Sequence, residues 1–226
     1  MNDVKKLSSL SVIFPAYNDG GTIASMIATA KIAAEQVSDD FEIIVVNDGS
    51  SDYTAEVLEE MQKKYSELRV IQHETNRGYG GALISGFSTA KKDWIFYTDG
   101  DALYNPLELT KLVDSLSIGR LYHHFVKLLF GIRIRDVDCD FRLIPTKIMQ
   151  EIQLKSFSGS ICLEMVKKIE SAGYVFAEVP VNHYARKYGV SQFFNFKRIL
   201  QTLNQLAHLY WTLIIKKEHL NKPYGH

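Results

Sequence analysis

Cysteine is scarce in this 226-residue chain: only Cys139 and Cys162 are present. Two thiols cannot build a disulfide framework at this length, and these two match no metal-ligand spacing, so a reducing cytoplasm is the expected setting. Long apolar runs are missing too. Nothing approaches the ~20 apolar residues that span a bilayer, and Met1 to Lys6 lacks the apolar core of a secretory leader. An integral membrane protein is therefore not expected, although contact with a membrane surface stays open. Nor is there an excess of either charge. Lys+Arg and Asp+Glu each total 26, so net charge gives no argument for a nucleic-acid or acidic partner, and no nucleic acid is expected. What remains is 46% hydrophobic and 23% charged residues, the composition of one globular domain, with or without an appendage.

The chain is organised around Asp93 to Pro106, Asp-Trp-Ile-Phe-Tyr-Thr-Asp-Gly-Asp-Ala-Leu-Tyr-Asn-Pro. Trp94 to Thr98 reads as a buried strand, aromatic and β-branched, closed off by Gly100 and Pro106. Asp99 and Asp101 then fall where the strand leaves the sheet, the end at which open α/β sheets collect ligands. Two carboxylates one residue apart can share a hard divalent cation and, with it, a diphosphate. A simple strand-end turn, which Asp and Gly also favour, is the competing reading.

Elsewhere strands and helices alternate. Leu10 to Pro15 is a strand with a polar exit through Ala16-Tyr17-Asn18-Asp19-Gly20-Gly21, and Thr22 to Val37 has the alanine-rich periodicity of a helix packed on a sheet. Phe41 to Val46 reads as a strand covered on both faces, ending in Asn47-Asp48-Gly49-Ser50-Ser51-Asp52. Tyr53 to Tyr65 is an amphipathic helix, Arg69 to Gln72 a short strand, and Arg77 to Gly86 a glycine-rich turn into a helix through about Ala90. The pattern predicts a doubly wound, mostly parallel α/β sheet. Arg77 to Gly86 lacks the Gly-Lys-Ser/Thr ending of a phosphate loop. Its glycines are read as allowing a tight turn and close packing, with backbone N–H groups at the helix start still able to approach a diphosphate.

Three strand ends thus carry matching punctuation: Pro15-Ala16-Tyr17-Asn18-Asp19, Val46-Asn47-Asp48-Gly49-Ser50-Ser51-Asp52 and Thr98-Asp99-Gly100-Asp101. Together they resemble the inverting family 2 glycosyltransferases of GT-A fold. Asp136 to Leu143 and Val179 to Phe193 are similar to later motifs of the branch that includes dolichol-phosphate mannose synthase and bacterial polyprenyl-phosphate glycosyltransferases. The resemblance covers roughly Leu10 to Phe194. It implies a GT-A domain over residues 8–192, followed by an amphipathic helix and polar tail over 193–226.

The resemblance further implies a donor pocket, a metal and an acceptor. Pro15, Ala16, Tyr17, Asp19, Asp48, Asp99, Gly100 and Asp101 would bind the nucleotide sugar, with Asp48 on the base or ribose. Asp99 and Asp101 would hold Mg²⁺ or Mn²⁺, which neutralises the leaving diphosphate. Arg142, Arg186 and Lys187 would take the phosphate of a polyprenyl phosphate acceptor. Arg142, Arg186 and Asp101 would carry catalysis. A structural ion pair is the alternative for Arg142, and a structural role is the expectation for His183. The donor is a UDP- or GDP-sugar, and the expected location is peripheral, on the cytoplasmic face of a membrane.

There are also departures from the family pattern. Asp19 stands where Glu is usual, and Asp140 stands where Gly is usual before Phe141. Asp140 either strains a position needing positive φ or supplies an extra carboxylate. Between Leu116 and Arg120 the strand and basic loop that relatives normally carry have no counterpart in the sequence, which is either naturally shortened there or lacks a stretch of the full chain. Arg120 to Phe130 and Phe193 to Lys217 interleave bulky apolar residues with bases, fitting a membrane interface or a face buried against protein. Two other functions stay open: transfer to a saccharide or other hydroxyl, with Asp136, Asp138 or Asp140 as base, and an inactive nucleotide-sugar-binding or scaffold protein.

Overall fold

The computed structural model describes residues 6–116, 139–184, 204–205 and 207–216. Up to residue 98 the elements alternate: β1 (Leu10–Ala16), α1 (Ile23–Val37), β2 (Phe41–Asn47), α2 (Thr54–Lys64), β3 (Leu68–Gln72), α3 (Tyr79–Thr89) and β4 (Trp94–Thr98). A 3₁₀ turn, Pro106–Glu108, leads into α4 over residues 109–116. After residue 138 come β5 (Phe141–Pro145), α5 (Thr146–Glu151) and α6 (Ile161–Ser171).

The strands form one sheet in the order β3-β2-β1-β4-β5. β1 pairs in parallel with β2 and β4, and β2 with β3. β5 runs antiparallel to β4, placing Arg142 opposite Tyr97. The mostly parallel doubly wound sheet expected from the alternation is therefore the one found; the antiparallel edge was not read from the sequence.

Every residue of β1 is buried, which is why it reads as an unbroken apolar run rather than an alternating one. Its alternate side chains serve two cores. Val12 and Phe14 join Ile43, Val45 and Phe96 beneath α1, where Ile23, Met26, Ile27, Ala30, Ala33, Ala34 and Val37 make the helix's buried stripe. Ile13 joins Ile44, Val46, Ile95 and Tyr97 against Leu83, Ile148 and Met165 on the other side. Each large aliphatic side chain so buried contributes about 1.5–3 kcal/mol.

The order in which strands are added reverses at β1. From there the connections run outward to β2 and β3, then cross back to β4 on the opposite flank. Such a switch opens a crevice outside the carboxyl ends of the two central strands. That crevice lies between the exits of β1 and β4, where the acidic motifs sit.

Of the expected C-terminal amphipathic helix, residues 204–205 and 207–216 are described, and Tyr210–Ile215 forms a π-helical turn. Leu209 and Leu213 are buried, while Tyr210, Trp211 and Ile215 are exposed. Gln205 Oε1 accepts from Ser158 Oγ at 2.6 Å and Ser160 Oγ at 3.2 Å. The segment thus touches the approach to α6. Among the described residues no helix is long and apolar enough to cross a membrane. The expected basic-apolar helix over 120–130 and the shortening after Leu116 fall outside the described residues.

Behind the sheet, Glu164 on α6 clamps the preceding loop. Its carboxylate accepts from Lys155 N and Ser156 N, the latter at 2.8 Å, and from Lys168 Nζ at 2.6 Å. Burial pushes Glu164 upward, yet the hydrogen bonds from Lys168 and Ser156, with the Lys168 charge, outweigh it and leave the carboxyl below its ordinary value. Glu42 is lowered in the same way: burial opposes, and bonds from Lys91 N, Ser11 and Arg69 prevail. Because both are depressed by folding, their stabilisation is fully present above the ordinary value of 4.5 and is lost as pH falls through the lower folded values. Denaturant midpoints measured from neutral pH to below 4.5 should fall steeply at the acid end. Glu164→Gln should begin less stable and lose less over the same span.

Candidate active site at the carboxyl edge of the sheet

The β1 exit is stitched to its neighbours by short polar side chains. Asn18, with φ of 59°, accepts from Ser51 N at 2.8 Å through Oδ1 and donates its own N–H to Ser50 Oγ at 3.0 Å. Asp19 N donates to Thr54 Oγ1, and Gly20 N donates to Asp52 Oδ2. The Asp19 carbonyl takes Thr22 N and Ile23 N to start α1, while its carboxylate takes Tyr17 N at 3.0 Å. Thr22 Oγ1 then reaches across to the Gly100 carbonyl at 2.7 Å. A Cβ on Gly100 would sit 3.4 Å from both Asp19 Oδ2 and the Pro15 carbonyl. The β1 and β4 exits thus come within contact distance at Gly100, where the tightest approach of an added Cβ would be to Ile23 Cδ1 at 3.1 Å.

Asp99 and Asp101 differ in setting. Asp99 Oδ1 accepts the Tyr79 hydroxyl at 2.8 Å. Asp101 is buried and accepts Leu103 N at 3.2 Å, closing the turn. Burial, followed by the charges of Asp140, Asp101 and Asp19, pushes the Asp99 carboxyl well above the usual carboxylate range, with only the Tyr79 bond opposing. Carboxylates crowded this way repel one another, and a divalent cation between them would relieve the repulsion. Among the described residues no three acidic, His or Cys side chains gather closely enough to hold an ion alone. Two carboxylates suit Mg²⁺ or Mn²⁺ when the remaining ligands come from a diphosphate and water, so Asp99 and Asp101 fit the expected metal.

Asp48 has a task inside the fold. It is buried, and its Oδ1 accepts from His73 Nδ1 at 2.6 Å and Arg77 N at 2.9 Å, while Oδ2 accepts Gly78 N at 2.9 Å. Asp48 therefore supplies the anion at the start of α3, where unpaired N–H groups and the helix dipole favour negative charge. Gly80 N donates to the Phe157 carbonyl. With those donors engaged internally, the glycine-rich turn takes the packing role read for it.

Arg142 and Asp140 lie on the α6 side. Arg142 is buried, and its Nε donates to the Cys139 carbonyl at 2.8 Å. Asp140 Oδ1 accepts the Cys162 thiol at 3.2 Å, and burial with the Asp140 charge pushes that thiol upward. Outside glycine, the described residues with positive φ are Asn18 and Ala102. Asp140 thus does not carry that strain, and its charge lies near enough to Asp99 to add to the upward push there.

The structure brings Pro15, Ala16, Tyr17, Asp19, Asp48, Asp99, Gly100 and Asp101 to one edge. Arg186 and Lys187 lie outside the described residues, but the backbone ahead of them is fastened to this edge. Tyr184 N donates to Leu103 O at 2.8 Å, and His183 bridges Tyr104. Asn182 gives its N–H and Nδ2 to Glu108. His183 itself stacks edge-on with Tyr104, in keeping with its expected structural role. Sequence reasoning missed Tyr79, His73 and Glu108; for His73 the available signal was a polar residue directly after β3.

The family described as glycosyl transferase family 2 matches residues 11–126. The undecaprenyl-phosphate 4-deoxy-4-formamido-L-arabinose transferase of Edwardsiella ictaluri is 26% identical over 216 residues, taking in 85% of this chain and 65% of that protein. The Salmonella choleraesuis protein of the same name is 26% identical over 230 residues, with 92% and 69% covered. This chain thus spans roughly two thirds of their length, as these 65% and 69% figures show. An alignment of 216 positions that takes in 85% of 226 residues also means that the relative carries more residues over the stretch than this chain does. Among solved structures, glucosyl-3-phosphoglycerate synthase from Mycobacterium tuberculosis, in complex with Mn²⁺, UDP and glucosyl-3-phosphoglycerate, gives a TM-score of 0.63 at 18% identity over 96% of this chain and 82% of that one. Another structure of that synthase gives 0.55 at 19% identity over 73% and 67%. These likenesses establish the GT-A-like fold.

A Cβ on Gly80 would meet the Ser156 carbonyl at 2.2 Å and Phe157 backbone atoms at 2.9 Å. Gly80→Ala should therefore lose about 1–3 kcal/mol, seen as a lower Tm, and should shift Tyr79 away from Asp99. An unchanged Tm would contradict the close packing assigned to this turn.

Proposed function

The chain belongs to glycosyl transferase family 2, and on that premise we propose that it transfers a sugar, with inversion, from a UDP- or GDP-sugar to a polyprenyl phosphate. The observation that carries this reading is the meeting of the β1 and β4 exits, which sets Asp19 beside the Asp99-Gly100-Asp101 turn, with Asp99 pushed well above its ordinary range by burial first and then by its acidic neighbours. The names of the curated relatives supply the acceptor class.

Asp99 and Asp101 would hold Mg²⁺ or Mn²⁺, which when bound neutralises the charge developing on the nucleoside diphosphate. Pro15, Ala16, Tyr17, Asp19 and Gly100 line the donor pocket, and Asp48 shapes it from behind. A lipid phosphate is already anionic near neutral pH and needs no strong base to attack the anomeric carbon. Its demand is for cations, which Arg186 and Lys187 meet from the segment fastened by Asn182 and Tyr184. Arg142 adds a buried positive charge on the α6 side. Tyr210, Trp211 and Ile215, exposed beside Lys216, support peripheral attachment at the cytoplasmic face of a membrane, with aromatic rings and bases at headgroup level.

A second reading, transfer to a hydroxyl compound, is favoured by Asp140, whose carboxylate lies close enough to Asp99 to add to its upward shift and could serve as base. Release of nucleoside diphosphate separates these readings when followed across UDP- and GDP-sugars with Mg²⁺ or Mn²⁺, with and without polyprenyl phosphate in detergent. Release should need the lipid phosphate, fall by about 100-fold or more in Asp101→Ala, and survive Asp140→Asn. Release driven by a saccharide and abolished by Asp140→Asn would install the second reading. Donor binding with no release across the panel would make this a binding protein.

A further inference from the structure

Behind the donor pocket lies a buried hydrogen-bonded chain that the transfer chemistry leaves unused. His73 follows β3 directly, is 3% exposed, and gives its backbone N–H to the Asn47 carbonyl at 3.0 Å. Its Nδ1 lies 2.6 Å from Asp48 Oδ1, and its Nε2 lies 2.9 Å from Ser85 Oγ on α3. A carboxylate only accepts, so Nδ1 carries the proton, and in the neutral ring Nε2 accepts from the Ser85 hydroxyl. The order Ser, His, Asp is that of a hydrolytic triad. Ser85 is mid-helix, however, where backbone N–H groups are spent within the helix and leave no donors for an oxyanion. Nucleophilic catalysis is the wrong reading of this chain.

Its effect is mechanical. Asp48 is the acceptor for both Arg77 N and Gly78 N, and Gly78, at φ of 84°, is the N-cap of α3 without a capping side chain of its own. The next residue is Tyr79, whose hydroxyl holds Asp99. The imidazole therefore fixes the carboxylate that fixes the helix start that aims the hydroxyl at Asp99. Ser85, about one and two-thirds turns beyond Tyr79 along α3, fixes the imidazole from the far side and closes the ring of contacts. The geometry points to His73 as a positioning residue of the donor site, acting through Asp48 and the first turn of α3 on Tyr79 and Asp99. This inference rests on the proposal that Asp99 and Asp101 bind the donor diphosphate with a metal.

Two amide replacements separate the halves of the imidazole. In His73→Asn the side-chain amide can occupy the place of Nδ1 and keep the bond to Asp48 while losing Ser85. In His73→Gln it reaches the place of Nε2 and keeps Ser85 while losing Asp48. Calorimetric titration with UDP and GDP in the presence of Mn²⁺ should show wild-type binding to one of them. It should show near wild-type affinity in His73→Asn and affinity weaker by about tenfold or more in His73→Gln, the loss expected for one hydrogen bond to a buried charge. Thermal melts of both variants accompany the titration. Equal affinities in the two variants, or affinities that simply follow their Tm values, would overturn the positioning role. Absence of nucleotide binding by the wild-type protein would overturn the donor-site proposal and this inference together. Nucleotide binding by wild type with indistinguishable variants would overturn the inference alone.

Discussion

The constraint on which the structure depends is the central place of β1, with its exit bound on both sides. Asn18 and Gly20 take their partners from the β2 exit, and Thr22 takes the Gly100 carbonyl from the β4 exit. Because β1 is buried on both faces along its whole length, its register against β2 and β4 cannot slip by one residue without exchanging the two cores. Register fixes where the strands end, and the strand ends carry the acids. A polar site accurate enough for chemistry is thus a by-product of apolar packing some distance from it.

Electrostatics then gives the edge its character. Burial and acidic neighbours raise Asp99, while the more deeply buried Asp48 is surrounded by donors, an imidazole and the first N–H groups of α3. The two aspartates end comparable strands and do opposite work. One is a carboxyl whose charged form is disfavoured by burial and acidic neighbours, a setting that a cation would relieve; the other is satisfied within the fold and serves as an anchor. α3 joins them, since its start is held by Asp48 and its first residue reaches Asp99.

Much of this was legible in the sequence. Trp94 to Thr98 coincides with β4, and the β2 and α1 boundaries differ by a single residue, because long apolar runs and alanine-rich periodicity leave little choice. Asp99 and Asp101 stood out as acids one residue apart at a strand's end. Less legible was the pairing of residues far apart in the chain. Nothing local says that His73 meets Asp48, that Tyr79 meets Asp99, or that Glu108 receives Asn182, since each contact depends on how separate loops converge at the edge. The direction of β5 was hidden for the same reason: five residues of strand carry no mark of parallel or antiparallel pairing. Asp140 was read as strained or as an extra carboxylate, and only the backbone angles could remove the first of these readings.

The central claim, that Asp99 and Asp101 hold a metal bearing the donor diphosphate, is tested most directly by anomalous diffraction at the manganese edge. Crystals would be grown with Mn²⁺ and whichever of UDP or GDP binds. The account predicts an anomalous peak within coordination distance of a carboxylate oxygen of Asp99 and of Asp101, with diphosphate oxygens completing its ligands. A peak elsewhere, or nucleotide bound with no metal at this edge, would contradict it.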